Sequence, residues 1–316
     1  MLDVEAALAW AHAEVGNIPR KDAEKIAAMA SVEHVKLSRV KEIERETKHD
    51  VAALVRGLAE ACGRSGAYVH LGATSSDVND TATALQLKNA IELIGKRLNE
   101  LQKTLKRKTL EFEEPTIIMP TRVPAALAFK FSAWMQEVSR HVERLRECKE
   151  RVLVGKMSGA VGTQAALGVH AVKIQNLVMK RLGIRAADIS TQIVQRDRYA
   201  ELVCLLAIVA ASLENFATAT RKLQKPEVDE FFNTEKEVGS SSGQQEETSE
   251  ACEKICGLAR IVRSLVIPAL EDVPTWGERD LTQSSAERFI LPEACILTDY
   301  MLFLMVNVVT DHTSKN

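Results

Sequence analysis

Aromatic residues are scarce in this chain: Phe, Trp and Tyr together make up 4% of its 316 residues. Strands favour aromatic and β-branched side chains, so the shortage argues against a sheet protein. Charge of one sign is lacking as well. The formal net charge is −2, too small to draw the chain onto nucleic acid or a membrane surface, and neither partner is expected. The six cysteines (Cys62, Cys148, Cys204, Cys252, Cys256 and Cys295) form no CxxC pair. Cys252 and Cys256 share a helix face, but no histidine is near to complete a metal site. Idle thiols of this kind suit a reducing compartment. No dinucleotide-binding or phosphate-loop glycine motif is present, and no repeat of fixed period. The longest apolar run, "LVCLLAIVAASL", has 12 residues, short of the roughly 20 that span a bilayer. The opening "MLDVEAALAWAHAEVG" carries acids inside its apolar stretch, unlike a secretory signal. A soluble, cytoplasmic chain is expected.

What is present is helix. Apolar residues are 46% and charged residues 27% of the chain, with Ala, Leu, Val, Glu and Lys prominent. Leu2, Val4, Ala7, Leu8 and Ala11 recur at helical spacing from the first residues. Pro19 starts a second unit, and "KLSRVKEIERETKHD" and "VAALVRGLAEAC" predict two more short helices. The segment "GRSGAYVHLGATSSDVND" breaks the pattern and predicts an ordered loop, with Ser75 or Ser76 near the N-cap of the next helix. Longer helices are predicted over about 78–114, 124–154, 170–182, 198–224, 250–270 and 286–309. Helices of 20 to 35 residues need one another, and usually another subunit, to bury their apolar stripes. The expected fold class is therefore all-α: a smaller N-terminal helical domain over 1–77 and a central long-helix bundle over 78–316.

Polar residues gather in the segments between these helices. Lys48, His49 and Asp50 stand in "ETKHDVAAL"; His70, Thr74, Ser75 and Asp77 in "VHLGATSSDVND"; Gln192, Arg196 and Asp197 in "STQIVQRDRYAEL"; Arg279, Asp280, Ser284, Ser285 and Arg288 in "WGERDLTQSSAER". Each set has a purely structural reading: His49–Asp50 an ion pair at a helix start, Thr74 to Asp77 a cap, Arg196–Asp197 an internal salt bridge, Arg279 to Arg288 a solvated face. Taken together, hydroxyls, amides at a helix start and arginines are what a carboxylate or phosphate needs. Ser284 and Arg288 are four apart and can grip one phosphate. A histidine trades a proton near neutral pH.

The segments "YVHLGATSSDVNDTA", "GKMSGAVGT", "STQIVQRDRYAEL", "VGSS" and "ERDLTQSSAERFILPE" together resemble the adenylosuccinate lyases of the fumarase/aspartase superfamily, in family order along nearly the whole chain. The resemblance implies a homotetramer with a shared central bundle, no metal and no organic cofactor. It also implies elimination of fumarate from adenylosuccinate, giving AMP, and from the succinyl-carboxamide ribotide of purine synthesis. Carried over by position, Lys48, His49 and Asp50 line the nucleotide side and His70 is the site histidine. Thr74 and Ser75 bind a succinyl carboxylate, and Gln192 contacts substrate. Arg279, Ser284 and Arg288 bind phosphate and nearby groups, and Ser240 is the catalytic base.

The resemblance is incomplete. Glu246 and Thr248 stand where the family's mobile loop has lysine and asparagine. "EEPTIIMPTRVPAALAFKF" replaces the segment with the family's general-acid histidine, and no histidine lies between His70 and His141. His141 falls within a helix, poorly placed as a substitute. Gly277 replaces the histidine of the family's "WHERD". The N-terminal phosphate-binding Arg-Tyr segment and the C-terminal helical domain of the family are not within the sequence. A second reading is therefore a helical scaffold, assembly partner or purine-ligand binder derived from such an enzyme.

Overall fold

The computed structural model describes residues 1–111, 127–224 and 250–311, together with the backbone of a few two-residue strands between and after them. Eleven α-helices are described. They are α1 Leu2–Glu14, α2 Arg20–Met29, α3 Leu37–Thr47, α4 Asp50–Cys62, α5 Ser75–Glu111, α6 Leu127–Val152, α7 Ala171–Leu182, α8 Asp197–Leu223, α9 Glu250–Ser264, α10 Val266–Glu271 and α11 Thr282–Asp311. The strands are two residues long and pair locally: β1 Ile117–Ile118 with β2 Ala125–Ala126, β3 Val154–Gly155 with β4 Arg185–Ala186, and β5 Phe232–Asn233 with β6 His312–Thr313. The fold is all-α.

Two helix boundaries differ from the sequence expectation for identifiable reasons. α5 begins at Ser75 rather than Val78, because Asp77 Oδ2 accepts from the Thr74 amide at 2.9 Å. That bond satisfies one orphan N–H of the first turn, in the manner of a capping box. The expected helix over 250–270 is split at Leu265. Pro268 has no N–H to offer the carbonyl four residues back, so the ladder is interrupted there.

The chain divides into two compact units: residues 1–88, 151–195 and 275–281 form one, and 89–150, 196–274 and 282–316 the other. In the first, α1 is apolar almost all round and is buried on both sides. One cluster joins Val4, Leu8 and Ala11 to Val51, Val78, Ile174 and Val178. The other joins Ala9 to Ile18, Ile26, Leu58 and Cys62. The remaining stripe of α1 carries the exposed Asp3 and Glu14, whereas Glu5 and His12 fall on the buried faces and must find partners inside.

In the second unit α8 is the central element, with Leu202, Val203, Leu206, Val209, Ala210, Leu213 and Phe216 buried. It packs against α9 and α11. Trp134 of α6 stacks on Phe216 with ring centroids 4.8 Å apart. Counted as whole helices rather than uninterrupted runs, α8 and α11 are each long and apolar enough to cross a membrane. This corrects the expectation drawn from the 12-residue run, because a helix tolerates an occasional polar residue within a spanning window. In the fold both are core helices: 61% of the apolar window of α8 and 50% of that of α11 is buried.

Candidate active site

The first unit contains most of the polar residues singled out above, and those of 70–77 form the turn that precedes α5 and its first residues. His70 sits in that turn with φ of 62°, a left-handed conformation uncommon for a residue with a side chain. Gly72 follows with φ of 70°. A side chain at Gly72 would meet the Ala166 carbonyl oxygen at 2.7 Å, so the turn and the segment before α7 approach too closely for one. His70 is held by α1. Its amide donates to Glu5 Oε2 at 3.1 Å and its Nδ1 lies 2.6 Å from Glu5 Oε1. The Glu5 side chain is fully buried and that of His70 is 19% exposed. Burial pulls the His70 pKa down, but the Glu5 hydrogen bond and charge, with Asp77 behind them, outweigh it and raise it above the ordinary histidine value. The next carbonyl, that of Leu71, accepts from His12 Nε2 at 2.9 Å.

Asp77 joins this turn to the "GKMSGAVGT" segment. Its carboxylate pairs with Lys156 Nζ, and both side chains are fully buried. The same carboxylate accepts from the amides of Ser158 at 2.9 Å and Gly159 at 3.1 Å, besides Thr74. A buried charge pair is tolerable only when its remaining hydrogen-bonding positions are filled in this way. Ser158 Oγ in turn lies 2.9 Å from Ser190 Oγ. Asp80 Oδ2 accepts from the Val194 amide at 2.7 Å. The 187–195 loop carrying Gln192 is thereby fixed to the same unit. Thr191 Oγ1 donates to the Glu278 carbonyl at 3.0 Å, which ties in the segment carrying Arg279.

His49 is the N-cap of α4. Its Nδ1 accepts from the Ala52 amide at 3.4 Å and lies 3.4 Å from Asp50 Oδ1, while Nε2 lies 3.4 Å from Ser75 Oγ. The His49–Asp50 contact at a helix start and the bridge to Ser75 therefore coexist. Lys48 is exposed, in a left-handed conformation at the end of α3. Thr74 and Ser75 are partly buried at the start of α5, Gln192 is partly buried, and Arg279 is exposed.

Ser284 and Arg288 belong to the second unit. They occupy the first two turns of α11, Ser284 partly buried and Arg288 exposed. The expected Arg196–Asp197 bridge is replaced by a two-point pairing of Arg196 with Glu287, Nε to Oε1 at 2.6 Å and Nη2 to Oε2 at 3.2 Å. The planar guanidinium matches a carboxylate from another helix better than its own neighbour's short side chain. Ser240, Glu246 and Thr248 lie outside the described residues, as does nearly all of the segment that replaces the family's general-acid histidine motif. Among the described residues no three His, Cys, Asp or Glu side chains cluster as metal ligands would.

His141 is not a site histidine. It is 2% exposed, with Nε2 2.8 Å from Ser212 Oγ and Nδ1 3.2 Å from Arg144 Nη1. Burial and the Arg144 charge push its pKa down to about 4, so the ring is neutral and enclosed.

Three residues that sequence reasoning passed over hold the turn in place: Glu5, His12 and Lys156. Glu5 and His12 are seven apart on α1, hence on one face, and an acid and a histidine repeated at that spacing inside an apolar helix was the available signal. Lys156 gave less warning, since a lysine beside glycines reads as a solvated turn.

The lyase family matches residues 1–243 of the chain. An adenylosuccinate lyase from Pyrococcus horikoshii is 50% identical over 98% of this chain and 70% of its own length. One from Methanothermobacter thermautotrophicus is 48% identical over the same shares, and one from Bacillus subtilis is 39% identical over 99% and 72%. Among solved structures, a fumarate lyase from Mesorhizobium sp. BNC1 superposes with a TM-score of 0.89 at 28% identity, covering 99% of this chain and 72% of that one. The 3-carboxy-cis,cis-muconate lactonizing enzyme from Pseudomonas putida superposes at 0.90 with the same identity and coverage. Relatives up to 50% identical across 98% of this chain, on the same all-α frame, leave one assignment: the chain belongs to the adenylosuccinate lyase family of the fumarase/aspartase superfamily.

Proposed function

We propose that this chain eliminates fumarate from adenylosuccinate, releasing AMP, and from the succinyl-carboxamide ribotide in the same way. The observation that carries the proposal is the 50% identity to a named adenylosuccinate lyase along 98% of the chain. In the reaction a base takes a proton from the succinyl carbon beside a carboxylate. The electron pair forms the carbon–carbon double bond of fumarate, the carbon–nitrogen bond breaks, and an acid returns a proton to the departing nitrogen. Ser240 is the proposed base. His70 is the proposed acid: its Nδ1 is committed to Glu5, its raised pKa keeps a proton available near neutral pH, and its Nε2 has no hydrogen-bond partner among the described residues. Thr74 and Ser75, at the N-terminus of α5, take a succinyl carboxylate. Lys48, His49 and Asp50 meet the nucleotide, Gln192 contacts the substrate, and Arg279, Ser284 and Arg288 take the phosphate. The reaction needs no metal or organic cofactor.

The active form is a cytoplasmic homotetramer in this proposal. A groove of about 490 Å³ between α5 and α11, lined by Leu93, Ile94, Ile296, Tyr300 and Phe303 among others, supports it. Leu93 and Ile296 are 55% and 60% exposed, and an apolar strip on a long helix is ordinarily covered by a neighbour. Light scattering should return the mass of four chains, and the mass of one would contradict this part.

The decisive experiment mixes purified protein with adenylosuccinate and follows AMP and fumarate together. Equal amounts of both are expected, and His70→Asn should lower kcat by about 10²–10⁴-fold. If neither product forms at any enzyme concentration, the assignment fails and the scaffold reading takes its place. No specific structural observation favours that second reading.

A further inference from the structure

We propose that Glu5 is a positioning residue for the reaction: from α1 it fixes the His70 ring with Nδ1–H turned inward, so that Nε2 alone is left to exchange a proton with the substrate. The inference rests on the reading of His70 as the site histidine.

Three observations carry it. First, the two oxygens of one buried carboxylate take two donors of the same residue, the His70 amide at 3.1 Å and Nδ1 at 2.6 Å. A carboxylate accepts and does not donate, so Nδ1 bears the hydrogen and the tautomer is set. Holding the amide as well fixes where the residue sits, including its left-handed backbone, and not only how the ring is turned. Second, the support is rigid. α1 is buried on two faces, and one turn-pair further along, His12 donates through Nε2 to the Leu71 carbonyl at 2.9 Å while its Nδ1 accepts from Asn17 Nδ2 at 2.9 Å. The two polar residues of α1 thus grip two successive residues of the turn. Third, full burial of Glu5 makes its charge effective at short range, because no water competes for it. The charged groups acting on His70 are Glu5 from α1 and Asp77 from the first turn of α5. Asp77 is already engaged by Lys156, which leaves Glu5 as the dominant neighbour.

If Glu5 merely braced the turn, an amide in its place would serve as well. If it sets the tautomer and charge of His70, an amide cannot, since it is uncharged, has one oxygen and offers N–H groups where Nδ1–H must be accepted. Diethyl pyrocarbonate reacts with neutral imidazole nitrogen, and peptide mass spectrometry reads its addition to His70 alone. In the whole unmodified protein, the pH at half-maximal reaction of His70 should lie above the roughly 6.5 of a free histidine. In Glu5→Gln it should fall by about one pH unit or more, kcat for AMP formation should drop at least about tenfold, and KM should change less than about twofold. Glu5→Asp should recover part of the midpoint.

A midpoint in the unmodified protein at or below about 6.5 overturns the proposal, with no variant needed. So does an unmoved midpoint in a folded Glu5→Gln. The titration is independent of turnover. A shifted midpoint in a protein that forms no AMP would refute the reaction assigned above while upholding the Glu5–His70 geometry. Normal turnover with unmoved midpoints would refute the present inference alone.

Discussion

His70 and His141 are both largely enclosed by helices, yet their surroundings drive them in opposite directions. His70, in the first unit, faces the Glu5 carboxylate at 2.6 Å and its pKa is raised. His141, in the second, lies between Ser212 and Arg144 and is pushed down to about 4. In the second case the roles are forced. Arg144 can only donate, so Nδ1 of His141 accepts and Nε2 carries the hydrogen toward Ser212, whose hydroxyl donates to Glu137. A protonated ring would have to break the Arg144 contact. Burial therefore does not by itself decide what a histidine can do; the first charged neighbour does. One arrangement keeps a proton at the edge of a turn lined with candidate site residues. The other seals a neutral ring into the bundle as a structural network.

The strongest way to break this comparison is at the carboxylate that anchors the first unit. Asp77→Ala leaves the Lys156 ammonium buried without its counter-charge. It should cost about 3–5 kcal/mol of unfolding free energy, seen as a lower urea midpoint, whereas the added change Lys156→Met should restore much of it. A double variant no more stable than Asp77→Ala would mean that the pair is not what holds the turn.

The second test uses pH, because the two histidines should leave opposite signatures. A lowered folded pKa means that the neutral ring is favoured. The contribution of His141 is complete above about pH 6.5 and is lost as the pH falls toward 4, by roughly 2–3 kcal/mol. His12, also lowered by burial, acts in the same direction. A raised folded pKa means the reverse. The contribution of His70 is complete below about pH 6.5 and is lost as the pH rises through its folded value. Urea midpoints measured across pH should show His141→Leu flattening the acid arm and His70→Asn flattening the arm that falls as the pH rises beyond about 6.5. The same arm flattened by both variants would erase the contrast.

The smallest expected effect comes from a contact of the first unit that involves no charge. Thr191→Val removes the hydroxyl bond to the Glu278 carbonyl and should cost about 0.5–1.5 kcal/mol. The thermal midpoint should fall by a correspondingly small amount, with the circular dichroism of the helices unchanged. A loss as large as that of Asp77→Ala would show that the loop is held by this bond rather than by the buried carboxylates.

Much of the molecule was legible in the sequence. α7 and α8 begin and end within a residue of the spans expected for them, and α1 begins where its apolar spacing starts, because a helix closes its hydrogen bonds locally and its amphipathic pattern is written along the chain. The site was legible only in part. Residues 70–77 stood out because polar residues and glycines collected between apolar helices, and the resemblance assigned them roles. Glu5 was not legible as the partner of His70, being 65 positions away in the chain. Nor was Lys156 as the partner of Asp77, or Glu287 in place of Asp197 beside Arg196.

The sequence by itself determined the helices, the all-α class and the family, since periodicity and motif order need no neighbours. Only the tertiary structure decided which polar groups are charged, which are sealed, and which histidine keeps a free ring nitrogen. Those properties depend on distance to a second charge and on exclusion of water. Both are set where distant parts of the chain meet.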